Sequence, residues 1–464
     1  MFDTSIYKQR RARLMKELSS GLILIMGNGE SPMNYSANIY HFRQDSNFLY
    51  YFGLDQANLI GLIDLDEGSA TIFGYELTMD DIVWTGPQPS ISDQAAKVGV
   101  SQTKSPTEIE AVLQQAVKGG RKVHFLPPYR AKNKIKIHQW LNIPLKDLAK
   151  QASIALIKTV VAQRSVKGPE EVVEMEKAVN TTREMHIAAM AAAAPGIIEA
   201  QLTGLVHGKA IADGGELAYP VILSVNGQIL HNHYHGNTLK SGQLVLGDFG
   251  AETAMHYAGD ITRTFPVDKQ FTTQQKEIYQ IVLDAETMAI EALKPGVKYR
   301  DIHLLAARII TRGLQSLGIM KGEADMAVEQ GAHALFFPHG LGHMIGLDVH
   351  DMEDLGEQYV GYDAAVERST QFGLNALRLG RELEVGFALT VEPGIYFIPE
   401  LIDQWKASGK FKDFINYEKI ESYRNFGGIR IEDNVLITET GHQILGDPIP
   451  KTITEVEDIR RSQV

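Results

Sequence analysis

Short apolar runs, punctuated by glycine and acidic residues, set the pattern of the first third of the chain. They are rich in β-branched and aromatic residues, which favour strands, and they span residues 21–27, 48–54, 59–68 and 70–77. Asp66, Glu67 and Gly68 predict a hairpin turn between the last two runs. The apolar spacing of residues 107–117 predicts a helix. The first third is therefore expected to be an α/β domain.

A longer helical period begins near residue 168. Pro169 is followed by two glutamates, a composition typical of a first helical turn, and Pro195 with Gly196 would end this helix. Residues 273–293 and 299–318 also have helical spacing. These helices alternate with short strand-like segments, so this part of the chain is expected to mix helices with strands.

The change in pattern predicts two domains. We place an N-terminal α/β domain at residues 1–165 and a second domain at 166–464, which together give an α+β fold class. No apolar run approaches the roughly 20 residues needed to cross a bilayer. Residues 1–18 mix charged and apolar positions, unlike a signal peptide. We expect a cytoplasmic protein without a membrane partner.

Composition narrows the function classes. Lysine and arginine number 45 against 57 aspartates and glutamates, so the formal net charge is −12. This charge repels nucleic acid and anionic membrane surfaces, and nucleic acid is not an expected partner. The chain contains no cysteine, which excludes disulfides, thiolate nucleophiles and cysteine-ligated zinc.

Five acidic or histidine residues in the C-terminal half carry the candidate chemistry. Their contexts are short and contain glycine or proline: LVLGDFG, YAGDITRTF, PHGLGHMIGLDVHD, LTVEPGIYF and GGIRIEDNVLI. The five residues are Asp248, Asp260, His343, Glu392 and Glu432. Four carboxylates with one imidazole suit two adjacent divalent cations that bind mainly oxygen. A metal-activated hydrolase is the first hypothesis.

Each carboxylate also has a simpler explanation. A hairpin through residues 251–259 would bring Asp248 and Asp260 together, yet an aspartate beside glycine is more often a turn residue. Strand alternation places Arg430 and Glu432 on one face, so a salt bridge between them is an alternative to metal ligation. The metal hypothesis rests on the five residues taken together.

Three histidines form a dense cluster between residues 339 and 350. His339 and His343 have the spacing of the HExxH zinc enzymes. Glycines at 340, 342 and 346 argue against a helix, and no glutamate follows His339, so a zinc helix of that kind is not predicted. His350 completes the cluster, which is denser than 15 histidines in 464 residues would give by chance.

These segments resemble those of the metal-dependent Xaa-Pro peptidases, the family of prolidase and aminopeptidase P. The resemblance covers residues 165–455 and extends, more weakly, over HFRQDSNFLYYFG at 41–53. It implies a pita-bread catalytic domain at 166–464, a fold shared with methionine aminopeptidase, preceded by an N-terminal domain of the aminopeptidase P type at 1–165. A homodimer is expected, with a tetramer as the alternative.

The resemblance further implies a site for two divalent ions, with manganese expected and cobalt or zinc as alternatives. Asp260 and Glu432 would bridge the ions, Asp248 would complete one, and His343 with Glu392 would complete the other. A bridging hydroxide is the implied nucleophile, and Glu392 is the implied general base.

The same resemblance assigns roles around the metal site. His231, His339 and His350 would hydrogen-bond the substrate and stabilise the oxyanion. Arg430 would orient Glu432 or the substrate. Two further histidines, at 233 and 235, leave open which imidazole of this segment faces the site.

Prolidase and aminopeptidase P share these ligands, so two insertions guide the choice between them. Residues 352–383 exceed the short link typical of bacterial aminopeptidase P, and residues 396–428 are similar to the prolidase pattern. Arg378 matches the arginine that receives a dipeptide's carboxylate in prolidases, with a solvated helix charge as the alternative. We predict hydrolysis of Xaa-Pro dipeptides. The alternatives are an Xaa-Pro aminopeptidase for longer peptides and an inactive peptide-binding module on the same fold.

Overall fold

The computed structural model describes residues 1–462. The α-helices are α1 (Thr4–Glu17), α2 (Ser46–Phe52), α3 (Met79–Thr85), α4 (Ile91–Lys97), α5 (Ile109–Lys118), α6 (Ala131–Leu141), α7 (Leu148–Gln151), α8 (Ile154–Ser165), α9 (Pro169–Ala192), α10 (Glu199–Ala212), α11 (Thr273–Glu291), α12 (Tyr299–Ser316), α13 (Ala324–Gln330), α14 (Glu357–Val360), α15 (Pro399–Ala407), α16 (Tyr417–Ile420) and α17 (Ile453–Arg461). Among the described residues, none of these helices has both the length and the apolar character needed to span a membrane.

The strands are mostly short. They are β1 (Leu22–Met26), β2 (Pro32–Tyr35), β3 (Asn38–Ile39), β4 (Ile60–Asp64), β5 (Ser69–Phe73), β6 (Gln102–Lys104), β7 (Val123–Phe125), β8 (Glu216–Leu217), β9 (Ile222–Ser224), β10 (Leu244–Phe249), β11 (Ala251–Glu252), β12 (Ile261–Pro266), β13 (Ala388–Val391), β14 (Gly394–Tyr396), β15 (Gly428–Arg430), β16 (Asp433–Ile437) and β17 (His442–Ile444).

The chain forms two compact units. The first comprises Met1–Arg164 together with Asp354–Tyr359, and the second comprises Ser165–Glu353 and the described chain from Val360 onward. The first unit is built on a five-stranded sheet in the order β6-β5-β4-β1-β7. Strand β1 lies antiparallel to β4 and parallel to β7. The hairpin predicted around Gly68 is confirmed by the β4–β5 pairing, and the helix predicted at 107–117 is confirmed as α5.

The strand predicted at 48–54 is wrong, because this run forms helix α2. The Asp45 carboxylate caps the helix by accepting the Phe48 N–H at 3.0 Å. Gly53 ends it in a left-handed conformation at φ 62°. The aromatic residues suggested a strand, but the helix buries the same rings, and Phe48 and Phe52 stack with centroids 5.2 Å apart. Capping residues and packing therefore outweigh the β-propensity of this run.

The second unit carries the longer helices, and the predictions for them are confirmed by α9, α11 and α12. Its sheets have the strand orders β12-β10-β9, β13-β16-β17, β14-β15 and β11-β8. The hairpin predicted through residues 251–259 is also confirmed, since β10 and β12 pair antiparallel with Asp248 opposite Thr262. At its tip, His256 adopts a φ of 66°, as a three-residue hairpin loop requires.

Residues 339–344 run beside strand β13 as an extended segment. The Thr390 N–H donates to the His343 carbonyl at 2.9 Å, and the Glu392 N–H donates to the Leu341 carbonyl at 2.8 Å. A β-carbon on Gly342 would lie 2.1 Å from the Thr390 carbonyl oxygen, so this close approach requires glycine. The expectation that this segment is not helical is confirmed.

Candidate metal centre and active site

A single cavity of about 350 Å³ in the second unit gathers the residues singled out in the sequence. Its walls include Asp248, Asp260, His343, Glu392, Glu432, His231, His339, His350, Arg378 and Arg430. His233 also faces this cavity, whereas the His235 ring contacts the Leu223 carbonyl at 3.2 Å. Residues up to 201 positions apart in sequence, His231 and Glu432, therefore meet in one place.

The strands of the second unit position the four carboxylates. Asp248 lies in β10, and Asp260 immediately precedes its partner β12. Glu392 immediately follows β13. Glu432 lies between β15 and β16, where its N–H donates to the Thr262 carbonyl at 3.1 Å. The backbone of each carboxylate residue thus lies in or next to a hydrogen-bonded strand, and none of the four lies in a long loop.

His343 presents one ring nitrogen to these carboxylates. Its Nδ1 lies 3.0 Å from the Met344 carbonyl oxygen, which can only accept, so Nδ1 carries the hydrogen. Nε2 is therefore the ring nitrogen that faces Asp260 Oδ2 at 3.4 Å and Glu392 Oε1 at 3.5 Å, and it is the atom that the neutral ring would offer to a metal. A histidine that ligates a metal commonly has this arrangement. One potential ligand atom from each of Asp260, His343 and Glu432 lies within 4.8 Å of the others.

The charge balance of the cavity fits divalent cations. Burial raises the pKa of Glu392 to about 7, and burial with neighbouring carboxylates raises the pKa of Glu432 well above its ordinary value. Burial also raises the pKa of Asp248 despite the opposing Arg430 guanidinium. Three buried carboxylates and the partly exposed Glu392 thus repel one another more than the nearby cationic side chains offset, and bound cations would relieve this repulsion.

Arg430 and Tyr219 hold Asp248. The Arg430 guanidinium donates from Nη2 to Asp248, from Nε to the Thr262 hydroxyl at 3.0 Å and from Nη1 to the Tyr396 hydroxyl at 2.8 Å. It thus pairs with Asp248 and not with Glu432, the partner considered from the sequence. The Tyr219 hydroxyl donates to Asp248 at 2.7 Å and also contacts Asp260. Tyr219 lies in no motif that pointed to the site, and Tyr396 lies in the LTVEPGIYF segment but was not itself singled out.

His339 is a neutral member of this hydrogen-bond chain. Burial lowers its pKa to about 3. Its Nδ1–H donates to the Gly340 carbonyl at 2.7 Å, so its Nε2 accepts from the Tyr396 hydroxyl at 2.8 Å. Both ring nitrogens are engaged by the protein, and His339 here supports Tyr396, which in turn contacts Arg430.

The edge of the cavity is formed by turns. His350 lies edge-on to His343, with ring centroids 4.3 Å apart. Arg378 lies in a non-helical segment and lines the cavity, with 30% of its side chain exposed. Both side chains contact Glu353, a residue that the sequence did not single out. His231, also in a turn, completes this edge.

A buried charge network lies behind Glu432. Arg263 is fully buried, and it donates to the Glu432 carbonyl and to Asp433 Oδ1, each at 2.6 Å. The Lys451 ammonium joins Asp433 at 2.6 Å to Glu286 at 2.7 Å. The backbone next to a candidate metal ligand is therefore fixed by charged groups.

Glu286 gives a testable pH dependence of stability. Burial and the nearby Asp433 raise its pKa from 4.5 to about 8. The folded state therefore retains a proton that the unfolded state has lost, so the free energy of unfolding decreases as pH rises from 4.5 through about 8. Glu286→Gln should weaken this decrease. Melting temperatures of metal-depleted protein between about pH 6 and 8.5 test it, with the exposed Glu291→Gln as control. Parallel curves for wild type and Glu286→Gln would contradict the assignment.

Comparison with known proteins agrees with this geometry. Residues 173–439 match the profile of metallopeptidase family M24, and residues 7–124 match that of the aminopeptidase P N-terminal domain. The Xaa-Pro dipeptidase of Rattus norvegicus is 32% identical, with 98% of this chain and 93% of the rat protein covered. A probable Xaa-Pro aminopeptidase of Fusarium vanettenii is 34% identical over 91% of this chain and 88% of its own length.

Solved structures show the same fold. The zinc-substituted aminopeptidase P of E. coli in complex with product superposes with a TM-score of 0.81 at 29% identity, covering 100% of both chains. The α+β class, with a pita-bread catalytic domain and an additional N-terminal domain, is confirmed. The resemblance to the Xaa-Pro peptidases is confirmed as well, and the chain belongs to metallopeptidase family M24.

Proposed function

We propose that this metallopeptidase is an Xaa-Pro dipeptidase that uses two divalent metal ions. The observation that carries the proposal is the cavity that brings five potential ligands together with Arg378 at its edge. An arginine at that edge suits the free carboxylate of a dipeptide. The rat and human proteins named Xaa-Pro dipeptidase, each 32% identical to this chain, support the same choice.

In this proposal the ligands are those inferred from the sequence. Asp260 and Glu432 would hold both ions, Asp248 would help to hold one, and His343 with Glu392 would help to hold the other. Manganese is the proposed metal, because the donor set is mainly oxygen, with cobalt or zinc as alternatives. Bound cations would lower the pKa of a water and polarise the substrate carbonyl.

The remaining roles belong to the side chains of the cavity. Glu392 is the proposed general base, and the Thr390 hydroxyl, 3.3 Å from its Oε1, keeps that carboxylate in place. His231 and His350 hydrogen-bond the substrate, and Arg430 holds Asp248. His339, proposed from the sequence as catalytic, acts through Tyr396 in this geometry.

An Xaa-Pro aminopeptidase acting on longer peptides is the second candidate. The 34% identity to the probable Fusarium aminopeptidase and the 29% identity to E. coli aminopeptidase P support this candidate. Overall identity therefore does not separate it from the dipeptidase, to which the rat relative is 32% identical. A catalytically inactive peptide-binding module is a weaker candidate, because all five potential ligands are present.

We also propose the wider organisation. The domain boundary lies between residues 165 and 166, and the protein is a cytoplasmic homodimer, with a tetramer as the alternative.

Exposed Met79, Val83 and Trp84 on helix α3 support association through the N-terminal domain. Light scattering of wild type and of Trp84→Ser tests whether this face holds two copies together.

The proline requirement is the direct test of the function. Metal-loaded protein should hydrolyse Ala-Pro, whereas Ala-Ala should be cleaved at least about 100-fold less efficiently, because one fitted ring contributes several kcal/mol of selective binding. The measurement is kcat/KM for a panel of Ala-Xaa dipeptides, together with metal content. Equal cleavage of Ala-Ala and Ala-Pro would remove the proposed specificity.

Arg378→Ala tests the choice between dipeptidase and aminopeptidase. A charge-assisted contact with the dipeptide carboxylate contributes about 1.5 to 3 kcal/mol, so Ala-Pro hydrolysis should fall at least about 10-fold. Ala-Pro-Ala places an amide at that position and should lose less. The ratio of the two kcat/KM values is the readout, and Arg368→Ala, an exposed arginine of the same segment, is the control. An unchanged ratio would favour the aminopeptidase.

A further inference from the structure

Glu353 joins two side chains at the edge of the cavity. One carboxylate oxygen, Oε2, lies 2.6 Å from His350 Nδ1, and the other, Oε1, accepts from Arg378 Nη1. A single carboxylate therefore bridges the imidazole and the guanidinium, with a separate oxygen for each. The hydrogen bond from His350 holds the pKa of Glu353 down at about 2, so the bridge is ionised at neutral pH.

The backbone beneath Glu353 is fixed. The Glu353 N–H donates to the His350 carbonyl at 3.2 Å, which brings the two side chains to the same side of a tight turn. Asp351 in this turn forms a buried ion pair with Lys167 at 2.9 Å, with each side chain 1% exposed. The backbone at Glu353 is therefore positioned by contacts that do not involve the Glu353 side chain.

The ion pair itself adds little to the stability of the protein. Glu353 is 43% exposed and Arg378 is 30% exposed, and ion pairs so open to water contribute little to folding. The effect of this ion pair is on the position of the Arg378 and His350 side chains. Arg378 donates from Nη1 to Glu353 and its guanidinium lines the cavity, so Glu353 helps to hold that cation beside the space that a substrate would enter. His350 has its hydrogen on Nδ1, so Nε2 is left for the cavity.

We infer that Glu353 is a positioning residue that sets the specificity of the enzyme for a free C-terminal carboxylate. It holds Arg378 and His350 together on the same edge of the cavity and keeps the hydrogen of His350 on Nδ1, so that both side chains would meet a substrate carboxylate as one unit. This inference rests on the proposed function and names the residue that tunes it.

The test is a double-mutant cycle. Wild type, Glu353→Ala, Arg378→Ala and the double variant are assayed with Ala-Pro and with Ala-Pro-Ala, with Glu353→Gln as the isosteric variant. Glu353→Ala should lower kcat/KM for Ala-Pro about 10-fold, mainly through KM, and for Ala-Pro-Ala about 3-fold or less. In the Arg378→Ala background the Glu353 replacement should change Ala-Pro hydrolysis much less. Glu353→Gln keeps one acceptor and should lie between.

Melting temperature and metal content verify that each variant is folded and loaded, and Glu367→Ala is the matched control on the surface of the same unit. Effects that multiply in the double variant, or an equal loss for both peptides, would overturn the inference. A wild type that cleaves neither peptide refutes the proposed function. Calorimetric titration with Ala-Pro then still tests Glu353, since weaker binding by Glu353→Ala supports the inference and unchanged or undetectable binding overturns it.

Discussion

Asp260→Asn is expected to lower kcat/KM for Ala-Pro by about 1000-fold and to reduce the bound metal from two ions per chain to one or none. In the proposed arrangement this carboxylate would hold both ions, and an amide provides neither its charge nor its second anionic oxygen. The fold should survive. Asn434 contacts only the main chain of Asp260, accepting its N–H at 2.9 Å and donating to its carbonyl at 2.6 Å, and these bonds do not depend on the side chain.

The measurements for Asp260→Asn are metal content by mass spectrometry, kcat/KM, and a melting temperature in the presence of chelator. Asp284→Asn makes the same chemical change on the exposed face of helix α11 and should leave activity unaltered. A folded Asp260→Asn variant that retains two ions and near-wild-type turnover would contradict the dinuclear proposal.

Arg263→Met is expected to destabilise the second unit by at least about 3 kcal/mol. The guanidinium is fully buried, and its removal leaves Asp433 with less compensating charge and the Glu432 carbonyl without its 2.6 Å donor. Methionine fills a similar volume, so the loss should come from the unpaired polar groups and not from a cavity. Metal affinity should fall as well, because the backbone of Glu432 is no longer fixed.

Urea denaturation with and without metal measures both effects of Arg263→Met. Arg312→Met, on an exposed side chain that lies 3.5 Å from Asp325, is the control and should change stability by less than about 1 kcal/mol. If the two replacements destabilise equally, the buried network does not support the ligand backbone.

The sequence predicted the helices of the second unit and the Asp248–Asp260 hairpin, because both depend on local periodicity and turns. It also singled out five residues that the fold brings to one cavity, because four carboxylates and one imidazole in similar short contexts indicate metal ligation when they are taken together. The strand predicted at 48–54 failed because aromatic content was weighed above the Asp45 and Gly53 capping residues. The domain limits stay a prediction.

The supporting residues could not be found in the same way. Tyr219, Tyr396 and Glu353 contact their partners from positions 3 to 57 residues away in sequence, and none was singled out, although Tyr396 lies in the LTVEPGIYF segment. Their contribution depends on side-chain direction, which the fold decides. Arg430 is an example. Its residue type and strand face could be read from the sequence, but that it pairs with Asp248 and not with Glu432 could not.

The potential metal ligands lie in or directly beside strands, whereas His231, His350 and Arg378 lie in turns. This division separates two kinds of evolutionary change. Under the proposed function, replacements in the turns would change the length or charge of the peptides that bind while the hydrolytic centre stays intact. Relatives that share the strands would therefore differ in substrate specificity, and a protein engineer seeking a new substrate should vary the turns first.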